Sequence, residues 1–296
     1  MNKIIIVIIV ILYNNTFAID KKNIVTDANA SAAMFFNLKD SIQTNILKAK
    51  KLNKLNQKEK ALKLFLNTLN YSNQSNDTVS QIKCSISISD ILKSTNNFDK
   101  ALGYSLQALR LSKKLQDSTL IIDNLISIGS IHYKLFVNDS ISHPRALDSI
   151  DFYFKKALTL TKNKRKYSKQ IGKAYSGLSG GYFYRKDYNN ALKLTLQAIE
   201  KAKQRKDSIS QVINVNILAS IYLQTKKYNL AQKNYQQAFD LLNLTKSPRK
   251  TKLKEMLYIN IAWTKYNLKD YDAYSYLAKA NKIKDSLRDV EFDGII

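Results

Sequence analysis

The chain has 296 residues, 45% of them hydrophobic, and its 48 Lys and Arg against 23 Asp and Glu give a formal net charge of +25. That length allows one or two domains with a sizeable core. The single cysteine, Cys84, excludes a disulfide within the chain and a thiolate zinc site of the usual kind. Because Cys84 lies in an apolar helical run, we expect a buried, inert thiol.

The first 18 residues have the parts of a secretory signal. Lys3 precedes the unbroken apolar run Ile4–Leu12, and Thr16 and Ala18 are small residues where a signal peptidase would inspect them. A nine-residue helix, rising about 1.5 Å per residue, cannot cross a hydrocarbon core of about 30 Å. We predict cleavage after Ala18 and an exported chain, periplasmic or at the cell surface. An uncleaved anchor that includes Tyr13 is the alternative.

After the signal, residues 19–39 read as a polar lead followed by a short helix that covers the first repeat. From residue 40 onward, an acidic residue followed by a hydroxyl residue recurs about every 40 residues. Asp, Ser and Thr are preferred helix N-caps, so each pair predicts the start of a helical hairpin. The pairs are Asp40-Ser41, Asp77-Thr78, Asp117-Ser118, Asp207-Ser208 and Asp285-Ser286, with Ser168 and Ser247 as weaker members.

The second helix of each hairpin carries its own pattern. A small residue is followed four positions later by a variable residue, and three positions after that by another small residue. The sets are Ala61/Phe65/Thr68, Ala101/Ser105/Ala108, Ile150/Phe154/Ala157, Ala191/Thr195/Ala198, Ala231/Tyr235/Ala238 and Ala273/Leu277/Ala280. A matching small residue recurs in the first helices, at Ala49, Ser89, Gly129, Ser179, Ala219 and Ala262. Small residues at these steps allow two helices to approach closely. Gly and Pro number only 7 and 2, which also favours long helices with short polar turns.

The paired helices, with turns such as KKYNLA (226–231) and KDYNNA (186–191), resemble tetratricopeptide repeats. The period near 40 is longer than the usual 34 and is similar to longer variants in bacterial signalling proteins. Only Gly129 keeps the glycine favoured in the first helix, and the proline at the end of each unit is missing. The resemblance implies an all-α, right-handed superhelical solenoid of about six stacked hairpins over residues 40–287, with first helices lining the concave side.

Two segments depart from the repeat. The third unit has nine extra residues around Phe136–Pro144, which we expect to form a protruding loop. Asp285-Ser286 predicts the start of a seventh unit. Residues 288–296 (RDVEFDGII) are too short for the polar helix that normally closes such an array, and they end in apolar residues. We therefore expect either that the chain is a fragment or that a partner covers its last unit.

The register of the first helices predicts which residues face the concave groove. These are Asp90, Lys93, Tyr133, Phe183, Tyr184, Asn216, Trp263 and Tyr266. The groove would be aromatic in its C-terminal half and lysine-bearing in its N-terminal half. Such a mixture suits capture of an extended or helical peptide. The alternative is that these residues are only the solvated face of the array, or are covered by a neighbouring unit.

No set of residues indicates catalysis. His143, with Ser140, Ser142 and the nearby Asp139 and Asp148, supplies the residue types of a triad, but a triad is recognised by geometry. The segment LSGG (178–181) lacks the spacing of a phosphate loop, and we expect its glycines to serve close helix packing. The two histidines show no metal-ligand spacing. We therefore expect a protein that is not an enzyme, with no cofactor and no metal.

The function that the resemblance implies is a non-enzymatic protein- or peptide-binding scaffold, exported, and the sensing or interaction domain of a larger bacterial signalling protein. The alternative is electrostatic binding of nucleic acid or an anionic surface, with Lys48–Lys63 and Lys162–Lys173 as its best sites. A low-GC coding bias would also explain the lysines, so we do not favour a nucleic-acid partner. We expect no small-molecule substrate, and membrane contact only through an uncleaved signal or a missing C-terminal part.

Overall fold

The computed structural model describes residues 40–247 and 249–292, with side chains through residue 286. The signal, the lead at 19–39 and residues 293–296 lie outside this part of the chain. The described residues form twelve α-helices and no strand. In chain order the helices are α1 (40–54), α2 (Lys58–Gln74), α3 (Thr78–Ser94), α4 (Phe98–Lys114), α5 (Ser118–Asn138), α6 (Ala146–Thr161), α7 (Ser168–Tyr184), α8 (Tyr188–Gln204), α9 (Ser208–Gln224), α10 (Tyr228–Asn243), α11 (Lys250–Asn267) and α12 (Ala273–Phe292).

Consecutive helices pair into six hairpins, from α1–α2 to α11–α12, and each hairpin packs on the next. Three clusters of buried apolar side chains follow one another along the stack. Because each cluster is shared by neighbouring hairpins, no hairpin buries its apolar face alone. The predicted all-α solenoid of six hairpins is confirmed.

The acidic and hydroxyl pairs begin first helices as the sequence predicts. Asp77 accepts a hydrogen bond from the backbone N–H of Ser80, Asp117 from those of Thr119 and Leu120, and Asp207 from that of Ser210. These bonds satisfy amides that have no partner within the helix.

One marker fails. Asp285-Ser286 lies inside α12 rather than at a helix start, so its assignment as the start of a seventh unit is wrong.

Most helices end in a turn built on a left-handed residue. Positive φ angles recur at 20-residue intervals at Asn56, Asn76, Asn96 and Gln116, and again at Lys186, Lys206 and Lys226. At each of these turns, the N–H of the residue after the left-handed one donates to the carbonyl oxygen five residues earlier in the helix. The N–H of Asp207, for example, donates to the carbonyl oxygen of Ala202 at 3.0 Å. This is the Schellman geometry, in which glycine is the usual left-handed residue. Within the described residues, no glycine has a positive φ.

The extra residues of the third unit are shared between a helix and a loop. Residues 136–138 extend α5 to 21 residues, and only 139–145 form the connection to α6. The prediction of a loop over the whole of Phe136–Pro144 is therefore wrong at its start. The reason is the apolar run that ends α5, in which Leu135 stays buried against the first core cluster and continues the helix by one turn.

Helix α5, Ser118–Asn138, is the one helix among the described residues that is long and apolar enough to cross a membrane. Its apolar side chains include Ile122, Leu125 and Ile128, which are buried in the second core cluster. The helix contacts α4, α6 and α7. Its hydropathy is thus that of a central helix in the solenoid core.

Candidate binding groove on the first helices

The first helices form the inner side of the array. Consecutive first helices α5 and α7, α7 and α9, and α9 and α11 contact each other, whereas consecutive second helices in the described residues make no comparable contact. Since the first helices are closer together, the stack bends toward them and its concave side is lined by them. The eight residues predicted to face the groove all lie on these helices.

Three of the eight meet in the middle of the inner side. The ring of Tyr133 on α5 lies 5.8 Å from that of Tyr184 on α7, and Tyr184 also contacts Phe183. Tyr133 reaches across to α7 because Gly180 leaves room for it, since a Cβ at Gly180 would lie 2.5 Å from the Tyr133 ring. Burial, and then the neighbouring Tyr184, raise the pKa of the Tyr133 phenol. These rings therefore join two hairpins, and Tyr184 keeps 38% of its surface exposed.

The three polar residues predicted to face the groove already have partners. Lys93 donates to the Asp90 carboxylate at 2.7 Å within α3, and the pair lies at the surface. Asn216 on α9 is buried, and its amide oxygen accepts a hydrogen bond from Asn260 on α11 at 2.8 Å. Asn216 thus links two first helices, while Asp90 and Lys93 remain accessible.

Trp263 and Tyr266 differ from the other six. They lie on α11 with their ring centroids 5.7 Å apart and their planes 21° apart, and they are 57% and 61% exposed. An aromatic pair held against itself and open to solvent presents a large rigid surface with little rotamer entropy left to lose. Exposed aromatic side chains of this kind are the usual anchors of protein-binding surfaces.

Two exposed aromatic residues of the same hairpin were not predicted. Tyr271 lies in the turn between α11 and α12, and Tyr274 lies in the first turn of α12; both are exposed. Their signal in the sequence is the density of rings between residues 263 and 274, but the helical register places them outside the first helix.

The second helices carry an unpredicted concavity. An open crevice of about 600 Å³ lies beside α2, α3 and α4 and is lined mainly by Leu62, Leu66, Leu92 and Tyr104. Gly103 opens it, since nothing lies within 4 Å of the place its Cβ would take.

The residues considered for catalysis do not assemble into a catalytic set. The Nδ1 atom of His143 lies 3.0 Å from the backbone carbonyl oxygen of Asp139, and the Asp139 carboxylate accepts from the amides of Ile141 and Ser142. All of these bonds shape the 139–145 loop. His132 is half-buried and stacks on Tyr153 at 5.6 Å, and burial, followed by His143, lowers its pKa.

Two further expectations about single residues are confirmed. Cys84 is buried, and burial raises its pKa to about 12. The glycines of LSGG serve packing, because a Cβ at Gly181 would meet Ile150 at 3.1 Å, as one at Gly180 would meet Tyr133. Within residues 40–247 and 249–292, no three His, Cys, Asp or Glu residues are grouped to hold a metal ion.

The lysines considered for electrostatic binding lie on several elements. Those of Lys48–Lys63 are divided between α1 and α2, and those of Lys162–Lys173 between the turn after α6 and α7.

No protein-family model matches the sequence, and no curated protein does. Solved structures do match the fold of the chain. A STAND signal transduction ATPase with a tetratricopeptide repeat sensor, PH0952 from Pyrococcus horikoshii, is similar at a TM-score of 0.59 and 20% identity. That match covers 88% of this chain and 38% of PH0952.

Two smaller proteins match over most of their own length. A Rap protein complexed with Competence and Sporulation Factor matches at a TM-score of 0.58 and 14% identity, over 87% of this chain and 81% of its own. TTC0263, a tetratricopeptide repeat protein of Thermus thermophilus, matches at 0.55 and 13%, over 74% and 98%. The chain is a solenoid of helical hairpins, and its fold is that of tetratricopeptide repeat proteins. None of these similarities supports the electrostatic alternative.

Proposed function

We propose that this chain is a non-enzymatic protein-interaction scaffold that binds a peptide or protein segment on its inner side. The observation that carries the proposal is the exposed pair of Trp263 and Tyr266 on the last first helix. Tyr133, Phe154 and Tyr235 are buried and join helices, whereas Trp263 and Tyr266 are exposed and stacked on each other on a first helix. The fold supports the proposal, because stacked hairpins build extended concave binding surfaces.

The test is binding of displayed random 12-residue peptides, followed by fluorescence anisotropy on the peptides that are enriched. We expect Trp263→Ala with Tyr266→Ala to weaken binding about tenfold or more, as for the loss of anchor residues. Tyr184 is left intact because it packs on Phe136 at 5.2 Å, so its removal would also disturb the fold. Tyr274→Ala is the matched control, since it removes an exposed ring of the same hairpin outside the first helix. Equal binding by both variants and the unaltered protein would exclude the inner side as the site.

We further propose that the chain is exported and acts as the sensing or interaction part of a bacterial signalling protein. The support for export is the signal-like segment of residues 1–18. The similarity to PH0952, whose repeat region is described as a sensor, favours the signalling role. Expression of the full chain with fractionation and N-terminal sequencing tests export: a mature protein that begins at Ile19 supports it, and an intact N-terminus in the cytoplasm contradicts it.

A further inference from the structure

The charges on the inner side are unevenly distributed. We define the inner-face positions as those six and three residues before, and one, four and five residues after, the small residue of each first helix. In the first four hairpins, these positions hold two aspartates, Asp90 and Asp123, and six lysines: Lys50, Lys54, Lys83, Lys93, Lys134 and Lys173. In the last two hairpins they hold no charged residue, and the large apolar side chains exposed at these positions are Ile259, Trp263 and Tyr266. The inner side is therefore basic along two thirds of its length and apolar at its C-terminal end.

Both aspartates are already engaged by the protein. Asp90 pairs with Lys93 at 2.7 Å, and Asp123 accepts a hydrogen bond from Gln170 at 3.3 Å. Lys173, one turn from Gln170 on α7, has no carboxylate of the described residues within 4.0 Å. Although much of its side chain is exposed, partial desolvation and then Lys169 lower the pKa of its ammonium. The carboxylates of Asp123 and Asp90 act on Lys173 from the preceding first helices and oppose this lowering, but neither is in salt-bridge contact with it. Lys173 is thus open to a further anion and is the last charge before the apolar end.

The distance between Lys173 and the aromatic pair sets a length for the ligand. Helices α7 and α11 are separated by α9, and packed helix axes lie about 8–10 Å apart, so the two helices are roughly 16–20 Å apart. Lys173 and Trp263 also differ by seven positions along their helices, about 10 Å at a rise of about 1.5 Å per residue. The combined separation is roughly 20 Å. An extended peptide covers that distance in about six residues at about 3.3 Å each.

We propose that the inner side binds an extended peptide segment with two anchors. An Asp or Glu side chain of the segment pairs with Lys173, and a large apolar or aromatic side chain about six residues away packs on Trp263 and Tyr266. The proposal rests on the proposed function and specifies the chemistry of its partner. The charge pattern favours a peptide over a nucleic acid, because a polyanion would find no cation at the inner-face positions of the last two hairpins.

Synthetic fluorescein-labelled peptides of ten residues test the spacing. In a Ser/Ala background, one peptide has Asp at position 2 and Leu at position 8, a second has Lys in place of Asp, and a third has Asp and Leu three positions apart. We expect the first peptide to bind at least about tenfold tighter than the other two, since a charge mismatch and a missed anchor each weaken association. Equal affinity for all three peptides would overturn the two-anchor proposal.

Charge reversal tests the role of Lys173 itself. Lys173→Glu should weaken the Asp peptide about tenfold and strengthen the Lys peptide by a similar factor, because the attraction changes sign. Lys206→Glu, in an exposed turn away from the inner-face positions, is the matched control, and Lys173→Gln serves if the reversal disturbs folding. Failure of Lys173→Glu to change the preference overturns this proposal but not the proposed function, which survives if Trp263→Ala with Tyr266→Ala still abolishes binding. No binding of any peptide by the intact protein contradicts both.

Discussion

Phe154 fixes the size of residues on two neighbouring first helices. A Cβ at Gly129, in its own hairpin, would lie 3.0 Å from its ring, and a Cβ at Gly177, in the next hairpin, would lie 2.1 Å from it. Other hairpins solve the same problem with hydroxyl groups. Ser89 and Ser105 are hydrogen-bonded at 2.7 Å, and Ser179 and Thr195 at 2.6 Å. The small residue of the first helix and the residue it meets on the second helix are therefore chosen as a pair.

Gly177→Ala should lower the free energy of unfolding by about 1–3 kcal/mol, because the added methyl group overlaps a ring in a packed core. Phe154→Leu should relieve the overlap. The double variant should therefore lose less free energy of unfolding than the two single variants lose together. Gly103→Ala is the control. Its Cβ meets nothing within 4 Å, and alanine in a helix should stabilise by about 0.5–1 kcal/mol. Urea unfolding of the four variants measures these values, and additive effects of the two changes would refute the contact.

A second prediction concerns an unsatisfied buried amide. The Nδ2 group of Asn124 donates to the hydroxyl of Ser112 at 3.0 Å and to the carbonyl oxygen of Leu120 at 2.9 Å. At the corresponding place two hairpins later, the Nδ2 group of Asn214 donates to the carbonyl oxygen of Ser210, and its Oδ1 atom has no partner. The residue there that corresponds to Ser112 is Ala202. By this correspondence Ala202→Ser should supply a hydroxyl oxygen that accepts a second hydrogen bond from the Asn214 side-chain amide, as Ser112 does for Asn124. The free energy of unfolding should rise by about 1 kcal/mol, the usual net contribution of one such hydrogen bond.

The reverse change, Ser112→Ala, is the matched control for Ala202→Ser. It should destabilise by about 1 kcal/mol through the hydrogen bond lost to Asn124. Urea unfolding measures both effects as shifts of the denaturation midpoint, provided that the dependence of the unfolding free energy on urea concentration is unchanged. A loss of stability in Ala202→Ser would show that the site has no room for the hydroxyl group.

At the scale of the element, the turns between helices are less stable than they could be, because residues with a Cβ occupy their left-handed positions. Lys206 has a φ of 53°, which is unfavourable for a residue with a Cβ and free of cost for glycine. Lys206→Gly should therefore raise the free energy of unfolding by about 1 kcal/mol relative to Lys206→Ala, which loses the same charge but keeps the Cβ. Thermal unfolding of the two variants checks the difference. A glycine variant less stable than the alanine variant would contradict the assigned geometry.

Most of the elements could be predicted because their signals are local. The N-cap at Asp207 and the apolar spacing after it are visible in ten residues, and the structure has α9 begin at Ser208. The misses depend on contacts across hairpins. Asp285 and Ser286 are residue types that often cap a helix, but here they lie within α12. The need for glycine at position 177 becomes clear only from the contact with Phe154 of the neighbouring hairpin. In the groove, register predicted which helix each residue lies on, but not that Asn216 would be hydrogen-bonded to Asn260.

At the scale of the whole molecule, the last hairpin differs from the five before it. Asn281 and Lys284 on α12 are exposed, whereas their counterparts in earlier second helices, such as Ile199 and Ala202, are buried. Polar residues at these positions are typical of a capping helix. From the sequence, a polar capping helix would be expected after residue 287. In the structure, the polar residues typical of such a helix lie on α12, the second helix of the sixth hairpin. Leu277, 44% exposed where its counterparts Phe65 and Tyr235 are buried, is the apolar exception on this face.

This end of the array should unfold before its centre. Within residues 40–247 and 249–292, the last hairpin packs only on the hairpin before it, and Trp263, the one tryptophan of the chain, lies in it. In stacked repeats, stability comes from nearest-neighbour contacts, so a hairpin with one neighbour opens at lower free energy than one with two. We therefore expect the tryptophan fluorescence transition in urea to precede the far-ultraviolet circular dichroism transition.

The control moves the probe to the middle of the array. Trp263→Tyr combined with Tyr175→Trp places the only tryptophan on α7, where Tyr175 packs against the second core cluster between two hairpins. In that protein the two transitions should draw together, because a central hairpin is held from both sides and reports the bulk of the helix content. Coincident transitions in both proteins would show that the six hairpins unfold as one cooperative unit. An early transition only when the tryptophan is at position 263 would show that the hairpin carrying the candidate binding surface opens independently of the rest.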